Sequence, residues 1–331
     1  MRKTALAVLL LTTAFAGPAW AKPSVVIGYE NNGADPWMVS QARHLFQKTM
    51  PADVQLKFFD SGPAAMSALA SNSLQFMCGL GVPPFVAAVS QGVPLGIIYN
   101  QERYTTAAGI VVRPGSGIMS LADLKGKKIA IVEGSQSSFE LATFLQQAGV
   151  PFDAVRQLNM SPPEMRVAWT TKSIDAAIVW DPVFDALRGM GGTVLKTDAD
   201  LPPDASSYNV CIADTQWAKA HPKLVVDFIR ALNEGVVFTR THPQQALALM
   251  ARQAGISDKV AKTELAGYQI FSAKDQTTAR VLGTAKTVGT SATTKTIENT
   301  AKVLLKIGRI DKMPADAAAA VLPQYAEAAT R

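Results

Sequence analysis

Histidine and cysteine are scarce in this chain of 331 residues, which has three histidines and two cysteines. It has no HExxH motif, no CxxC pair and no cluster of histidines, so no pattern in it is typical of a metal centre. Glycine-rich dinucleotide-binding and P-loop fingerprints are missing as well. We therefore expect a protein that needs no cofactor and no metal.

Dense positive charge is also missing, although the net charge is +6. The densest basic run, residues 125–128, has the sequence KGKK and is typical of a solvated turn rather than a nucleic-acid patch. We expect no nucleic-acid partner. The mild positive balance still favours small anions in solution.

No apolar run is long enough to span a bilayer, which takes roughly 20 residues. The apolar stretch Ala5–Ala16 has only 12 residues, follows two basic residues and precedes the small-x-small pattern Ala19-Trp20-Ala21. This order predicts a secretory signal peptide over residues 1–21, cleaved after Ala21. No cysteine lies near the cleavage site, so we expect an exported, soluble protein without a lipoprotein anchor.

The two cysteines, Cys78 and Cys211, both lie in apolar, strand-like runs. Export to an oxidising compartment permits a disulfide. Buried free thiols are nevertheless the interpretation that we favour, because free cysteine is among the most buried residue types.

Strand-like runs alternate with helical patterns through the chain, beginning with VVIGYE at residues 25–30 and a helix predicted over 37–49. Such alternation is typical of βαβ units, so the predicted fold class is α/β, with mixed, mainly parallel sheets flanked by helices. The pattern restarts near residue 108, and segments beginning at Ala68 and Ala168 share the order helix end, turn, strand, proline, helix.

This restart predicts two lobes of similar construction. Residues 22–105 and 207–331 form lobe I, and residues 106–206 form lobe II. The chain then crosses twice between the lobes, which makes a hinge, and a small ligand is expected in the cleft between them.

Four predicted strand-to-helix junctions carry small or helix-capping residues. In open α/β sheets, ligands bind beyond the carboxyl ends of the strands. A helix N-terminus presents free N–H groups and the positive end of the helix dipole, which together bind anions without a lysine or arginine. Ordinary helix capping is the alternative. The candidate ligand-binding residues at these junctions are Ser61, Gly62, Gly81, Val82, Ser135, Gln136, Ser137, Ser138, Trp180 and Asp181.

Aromatic and acidic residues occur near the same junctions. Trp37 follows the first strand and Trp180 ends a later one, so each either contacts a ligand or belongs to the core. Glu30 and Asp181 either accept hydrogen bonds from a cationic end of a ligand or cap a helix.

Four segments together resemble one known family, the periplasmic binding components of taurine and aliphatic sulfonate ABC importers. The wider group also includes nitrate and thiamine-precursor binders. The resemblance implies a hinged, two-lobed fold of the type II topology. It also implies a monomer without enzymatic activity that closes on one small sulfonate in the periplasm and delivers it to a membrane permease with a cytoplasmic ATPase. The segments are KFFDSGPAAMSALASNSLQF, GVPPFVAAVSQGVPL, SLADLKGKKIAI and IDAAIVWDPVFDAL.

The resemblance also adds residues to the predicted site and bears on the ligand. It places the loop Glu30–Asn32, with Trp37, on the wall of the cleft opposite the junctions. Taurine binders resemble one another in having paired serines where this chain has Gly81-Val82, and an acidic residue where it has Asn209. A neutral amide suits the ammonium group of taurine less well than a carboxylate. Both departures weigh against taurine and leave another small sulfonate, or a different anion, open.

Two alternatives remain. A binder of a neutral or cationic nutrient, such as a pyrimidine precursor, would stack it on Trp37 and Trp180, with Glu30 and Asp181 as acceptors. A secreted hydrolase would use Ser135, because residues 134–138 faintly resemble a nucleophile elbow, although the last of them is a serine and not a glycine. A catalytic triad needs a histidine, and the histidines at 44, 221 and 242 are predicted to lie away from the cleft.

Overall fold

The computed structural model describes residues 22–71, 73–202, 205 and 208–331. The predicted signal peptide, residues 1–21, lies outside them, and so does the predicted lobe boundary at 206/207. None of the helices in the described ranges combines the length and apolar composition that a membrane crossing requires.

Lobe I is built on a six-stranded sheet with the strand order β11-β4-β10-β3-β1-β2. Strand β1 runs parallel to β2 and β3, whereas β10 is antiparallel to β3 and β4, and β11 is antiparallel to β4. The strands are β1 (Ser24–Tyr29), β2 (Asp53–Phe58), β3 (Phe76–Gly81), β4 (Leu95–Tyr104), β10 (Tyr208–Asp214) and β11 (Tyr268–Ile270).

Lobe II is built on a five-stranded sheet with the order β7-β6-β8-β5-β9. Strand β6 is parallel to β7 and β8, and β5 is antiparallel to β8 and β9. Its strands are β5 (Ala108–Val112), β6 (Lys128–Ile131), β7 (Arg156–Asn159), β8 (Ala176–Trp180) and β9 (Thr193–Thr197), and its helices are α5 (Gln136–Gln147), α6 (Pro162–Thr170) and α7 (Val183–Gly189).

The remaining helices surround the first sheet, and α13 also contacts α5 of lobe II. They are α1 (Pro36–Ala42), α2 (Leu45–Thr49), α3 (Gly62–Ala70), α4 (Val82–Ser90), α8 (Thr215–Ala220), α9 (Pro222–Thr241), α10 (Pro243–Ala254), α11 (Asp258–Ala266), α12 (Ala273–Gln276), α13 (Ala292–Lys306) and α14 (Pro323–Ala329). Short 3₁₀ helices cover Leu121–Leu124, Phe152–Ala154, Asp198–Asp200 and Val288–Thr290.

Each sheet has a hydrophobic core on both faces, which explains the continuous apolar runs of its strands. In β6 and the residue after it, Ile129 and Ile131 pack into one core, and Ala130 and Val132 pack into the other. In lobe I, Phe76 of β3 stacks on Phe228 of α9 with ring centroids 4.2 Å apart. Because both faces of each of the two sheets are covered, the predicted α/β class is confirmed.

The sheets are mixed, as predicted: β10 and β11 run against the other four strands of the first sheet, and β5 runs against the other four strands of the second. One helix differs from the prediction. The helix predicted over 37–49 is divided into α1 and α2 at His44, whose left-handed backbone (φ 55°) ends one helix and begins the next. This break allows both short helices to pack against α9.

The expectation of free thiols is wrong, because Cys78 and Cys211 form a disulfide. They lie on the neighbouring antiparallel strands β3 and β10, where a register shift between Val210 and Ile212 accompanies the pairing. Their Cα atoms are 4.1 Å apart, although 133 positions separate them along the chain. The bond joins the first sheet's early strands to the segment that returns from lobe II.

Removing this disulfide is expected to destabilise the protein. Opening a loop of 133 positions restores conformational freedom to the unfolded chain, and such losses typically cost about 2–5 kcal/mol. We expect the double variant Cys78→Ser/Cys211→Ser to unfold at lower urea concentration, as measured by circular dichroism. Reductant should destabilise the wild type but leave the variant unchanged. Alkylation of both cysteines in the native, unreduced protein would contradict the pairing.

Candidate ligand-binding site

Three helices from both lobes begin at a small cavity between the sheets, which we call the inner cavity. Helix α3 begins at Gly62, α4 follows Gly81, and α5 begins at Gln136. Eight of the predicted site residues line this cavity, namely Glu30, Asn32, Gly62, Gly81, Ser135, Gln136, Trp180 and Asn209. The inner cavity has a volume of about 10 Å³, close to that of one water, so an organic ligand can enter only when the lobes move apart.

The lobes approach each other closely at Gly81. A Cβ atom placed on Gly81 would lie 2.9 Å from Cβ of Gln136 in the opposite lobe. Gly79, in the same strand, has φ +82°, and a Cβ there would meet the Asn32 amide at 2.5 Å. A larger residue at Gly81 would therefore hold the lobes apart, and one at Gly79 would displace Asn32 within lobe I.

The serine hydroxyls at the start of α5 serve mostly their own loop. Ser135 Oγ accepts from Ser137 N at 3.2 Å and donates to Val132 O at 2.8 Å. Val132 N donates to Ser137 Oγ at 2.9 Å, and Gly134 N donates to Ser138 Oγ at 3.2 Å. Ser137 and Ser138 are fully buried and do not line the inner cavity. Helix capping thus accounts for these hydroxyls, and Ser135 and Gln136 remain at the cavity.

Three further predicted residues lie next to the inner cavity rather than on it. Ser61 precedes α3 without a capping bond from its side chain, and Val82 is the first residue of α4. Asp181 Oδ1 accepts from Asp185 N at 2.9 Å, so the carboxyl caps the first turn of α7. These residues shape the junctions but are not part of the cavity wall.

Trp37 is not brought to the cavity. Its ring lies 4.8 Å from that of Phe46 and 5.5 Å from that of Tyr29, within the core of lobe I. It is the second residue of α1, and the helix turns that face towards the sheet rather than towards the cleft. Of the two possibilities that the sequence left open for Trp37, the structure shows that it belongs to the core.

The carboxyl groups at the cavity were only partly anticipated. Glu30 is 6% exposed, and its Oε1 has no hydrogen-bond partner among the described residues. Burial raises the pKa of Glu30 well above its ordinary value. Glu140, one turn along α5 from Gln136, also lines the cavity and is buried. No lysine, arginine or histidine lies among the described residues that form this wall.

Asn209 lies directly against a third carboxyl. Its Nδ2 donates to Glu102 Oε1 at 2.7 Å and to the Tyr104 hydroxyl at 2.9 Å. Burial, and then the charge of Asp35, raise the pKa of Glu102 well above its usual range. Glu102 and Tyr104, both on β4, were missed because only the pairing of β4 with β10 brings them to Asn209.

A further carboxyl cluster lies where the lobes meet. Glu264 of α11 accepts from Ala34 N at 2.8 Å through Oε2, and Asp35 caps α1 by accepting from Met38 N. Burial is the main reason why the pKa of each rises to about 7, and the Glu264 charge raises that of Asp35 further. Burial and the Glu264 charge also raise the pKa of Asp181 in lobe II. Among the described residues, no group of histidine, cysteine and carboxyl side chains is arranged to hold a metal ion.

Stability should fall as the pH rises from about 4 to about 7. Asp35 and Glu264 keep their protons in the folded state up to about pH 7, whereas ordinary carboxyls lose theirs near pH 4. The folded state therefore binds more protons in this window, and the free energy of unfolding decreases with pH until both groups are ionised. Differential scanning calorimetry at pH 5, 6, 7 and 8 measures the slope.

The variant Glu264→Gln should show a shallower decline, because a neutral amide has no proton to lose and can still accept from Ala34 N. The control Glu298→Gln removes an exposed carboxylate on α13 and should keep the wild-type slope. An identical pH profile for Glu264→Gln and the wild type would show that Glu264 is ionised throughout.

The chain is similar over most of its length to known binding proteins. The family model described as NMT1/THI5 like matches residues 47–246. A putative aliphatic sulfonates-binding protein of Escherichia coli (strain K12) is 30% identical over 257 residues, which cover 77% of this chain and 79% of the relative. The taurine-binding periplasmic protein of the same strain is 30% identical over 223 residues, covering 67% of this chain and 68% of the relative.

The fold agrees with a solved structure as well. The crystal structure of the periplasmic aliphatic sulphonate binding protein from Escherichia coli superposes with a TM-score of 0.70 and 25% identity, over 89% of this chain and 90% of that one. These similarities confirm the resemblance and the two-lobed fold class predicted from the sequence. Because the family model matches more than half of the chain, the protein belongs to the NMT1/THI5-like family.

Proposed function

We propose that the protein is the substrate-binding component of an ABC importer and that its cargo is a small organic sulfonate carrying a protonated amine. One observation carries this proposal: helix N-termini from both lobes and buried carboxyls line the same inner cavity. The protein would act in the periplasm as a monomer and pass its ligand to the transmembrane permease subunits, which work with a cytoplasmic ATPase.

The helix N-termini supply the anion half of the site. Helices α3, α4 and α5 begin at the inner cavity, two in lobe I and one in lobe II. Their dipoles favour negative charge without a basic side chain. Because Pro63, Pro83 and Pro84 carry no N–H, the backbone donors are Gly62 N in α3, Val82 N in α4 and the first N–H groups of α5. The three oxygens of a sulfonate can accept several such bonds at once. The names of the sulfonate- and taurine-binding relatives support this choice of anion.

The carboxyls supply the cation half. Glu30 Oε1 lies near the start of α3, since a Cβ atom placed on Gly62 would be 3.2 Å from it. This oxygen has no hydrogen-bond partner among the described residues. A protonated amine on the ligand would give Glu30 the opposite charge and hydrogen bond that it lacks. Charge-assisted bonds of this kind contribute about 1.5–3 kcal/mol.

The surroundings of Asn209 weaken the argument against taurine. A neutral side chain there suggested that the site lacks an acid for an ammonium group, but Glu102 lies behind the amide and Glu30 lies on the cavity wall. The pair Gly81-Val82 still departs from the paired serines of taurine binders. We propose an amino-sulfonate as the ligand class, with taurine as a small member of it.

Ligand binding and lobe closure are coupled in this proposal. Gly62 and Glu30 belong to lobe I, and Gln136 and Trp180 belong to lobe II, so a ligand touching all four stabilises the closed form over the open one. The permease would then select the closed, loaded protein. Opening at the permease separates the two sets of contacts and releases the cargo.

A second candidate is a cation without a sulfonate group. It is favoured by the carboxyls of Glu30, Glu102 and Glu140 and by a wall that has no basic side chain among its described residues. The sequence left a cationic nutrient open as an alternative. Trp37 could not stack on such a ligand, because it lies in the core of lobe I.

We propose no catalytic role for Ser135. Its hydroxyl donates to Val132 O and also contacts Ser137 Oγ at 3.0 Å. The rings of His221 and His242 pack on Trp217 and Phe238, and His44 is exposed at the start of α2. The cavity wall, as described, therefore offers Ser135 no histidine base.

Three matched compounds separate the two halves of the site. Isothermal titration calorimetry with taurine, ethanesulfonate and ethylamine compares the complete ligand with versions that lack the amine or the sulfonate. We expect taurine to bind at least about tenfold more tightly than either fragment, since each charged group contributes charge-assisted hydrogen bonds. Tight binding of ethylamine alone would favour the second candidate, and failure of both sulfonates to bind would contradict the proposed cargo.

The variant Glu30→Gln tests the cation half directly. We expect it to weaken taurine binding by about tenfold or more, because the amine loses a charged partner. Ethanesulfonate should bind as well as before, since it carries no amine for Glu30 to pair with. The exposed substitution Glu298→Gln is the matched control. Equal losses for both compounds would show that Glu30 only supports the fold of the site.

A further inference from the structure

A second cavity lies within lobe I beside the hinge, and we call it the hinge groove. It has a volume of about 640 Å³, within the usual range of small-molecule sites. Arg103 is one residue before the end of β4 and Tyr208 begins β10, so the groove lies beside both crossings between the lobes. Its walls include Arg103, Tyr208, Arg240, Gln269, Asp275 and Arg280.

Strand pairing puts the hinge groove behind the inner cavity. Arg103 pairs with Tyr208 of β10 and with Gln269 of β11, and residues directly opposite in a sheet share a face. Successive residues of a strand point to opposite faces, so Tyr104 and Asn209 lie on the other side, where they line the inner cavity. No described residue lines both sites, and a ligand in the hinge groove therefore leaves the inner cavity free.

Positive charge predominates in the hinge groove. Three arginines, Arg103, Arg240 and Arg280, line it together with one carboxylate, Asp275. Oδ2 of Asp275 already accepts from Ser272 N and Ser272 Oγ, each at 2.7 Å, and from Arg240 Nη2 at 3.2 Å. The groove is thus the electrostatic opposite of the inner cavity, whose described wall has carboxyls and no basic side chain.

Two of these arginines lack partners. Neither Arg103 nor Arg280 forms an ion pair with another described residue. The Nε atom of Arg103 is buried and has no hydrogen-bond partner in the part of the chain that the structure describes. Leaving a buried donor unpaired is costly, and the planar fork of a guanidinium matches the oxygens of a carboxylate or phosphate. An anion in the groove would supply the missing partner.

We propose that the hinge groove is a second binding site, which holds a small multivalent oxyanion, a phosphate or a polycarboxylate, between Arg103, Arg240 and Arg280. Arg240 is positioned for this role, because its Nη2 also donates to Ile270 O at 3.1 Å. Several cations around one groove attract an anion in proportion to its charge, so the site favours multivalent over monovalent anions. This site does not depend on the cargo of the inner cavity.

Calorimetry with inorganic probes of different charge tests the site on the wild-type protein. Pyrophosphate, citrate and acetate are titrated at constant ionic strength. We expect pyrophosphate or citrate to bind at least about tenfold more tightly than acetate, because each additional charged group reaches another guanidinium. Tighter binding of pyrophosphate identifies a phosphate ligand, and tighter binding of citrate identifies a polycarboxylate. If neither multivalent anion binds, the inference is wrong.

The variants Arg103→Gln and Arg280→Gln locate the bound anion. We expect each to weaken binding of the tighter probe by about tenfold, because a charge-assisted hydrogen bond is lost. Arg280 is exposed, so its substitution tests the site without disturbing the core, and thermal unfolding without anion checks that both variants fold. Arg252→Gln is the matched control, since it removes an exposed arginine of lobe I, on α10, from outside the groove.

Two results would overturn the assignment. An equal loss of affinity in Arg252→Gln would show that the anion responds only to the net charge of the protein. Unchanged affinity in both groove variants would place the anion elsewhere, for example at the helix N-termini of the inner cavity. Loss of binding in the groove variants, with the control unchanged, supports the site whether or not the protein binds taurine.

Discussion

The burial of carboxyl groups without basic partners at the meeting of the two lobes is the constraint on which the site depends. Glu30 and Glu102 each keep one carboxyl oxygen without a partner among the described residues. Burying an ionised carboxylate is costly unless it is paired, so such a group either holds its proton or finds a positive charge. The closed lobes therefore leave a need for a cation that a ligand can satisfy.

The same constraint links the cavity to the lobe boundary. The loop between β1 and α1 carries Glu30 at one end and Asp35 at the other, and Glu264 accepts a hydrogen bond from Ala34 N, next to Asp35. Gly33 lies so close to Asp181 of lobe II that a Cβ atom would be 3.0 Å from that side chain. In the proposed mechanism, a change of charge at the boundary and a ligand at the cavity would therefore act on the same short loop.

Sequence patterns predicted the features that depend on neighbouring residues, namely the helix starts and the strands. Turn residues and periodicity predict the alternating strands, and they predict helix starts at Pro63 and about Ser137, within one residue of the observed starts at Gly62 and Gln136. The comparisons confirmed the family and the fold class. Glu140 had a usable signal, since it lies one turn from Gln136 on the same helix face. The disulfide and the contact of Asn209 with Glu102 depend on pairing between strands about a hundred residues apart, which no local pattern records. Trp37 was ambiguous because its position after a strand does not fix which way its helix turns.

The role of each group at the proposed site depends on whether its hydrogen-bonding atoms are already used within the protein. Ser137 and Ser138 are used within their own loop, so in the proposed site the anion is left mainly to backbone donors at the helix N-termini. Such donors accept any compact anion with several oxygens and discriminate little between organic substituents. In the proposed site, discrimination must therefore come from side chains beyond those donors, such as Glu30, which places a carboxyl near the start of α3. Two members of one family can share the same helix N-termini and still take different cargo, because the residues that differ lie beyond them.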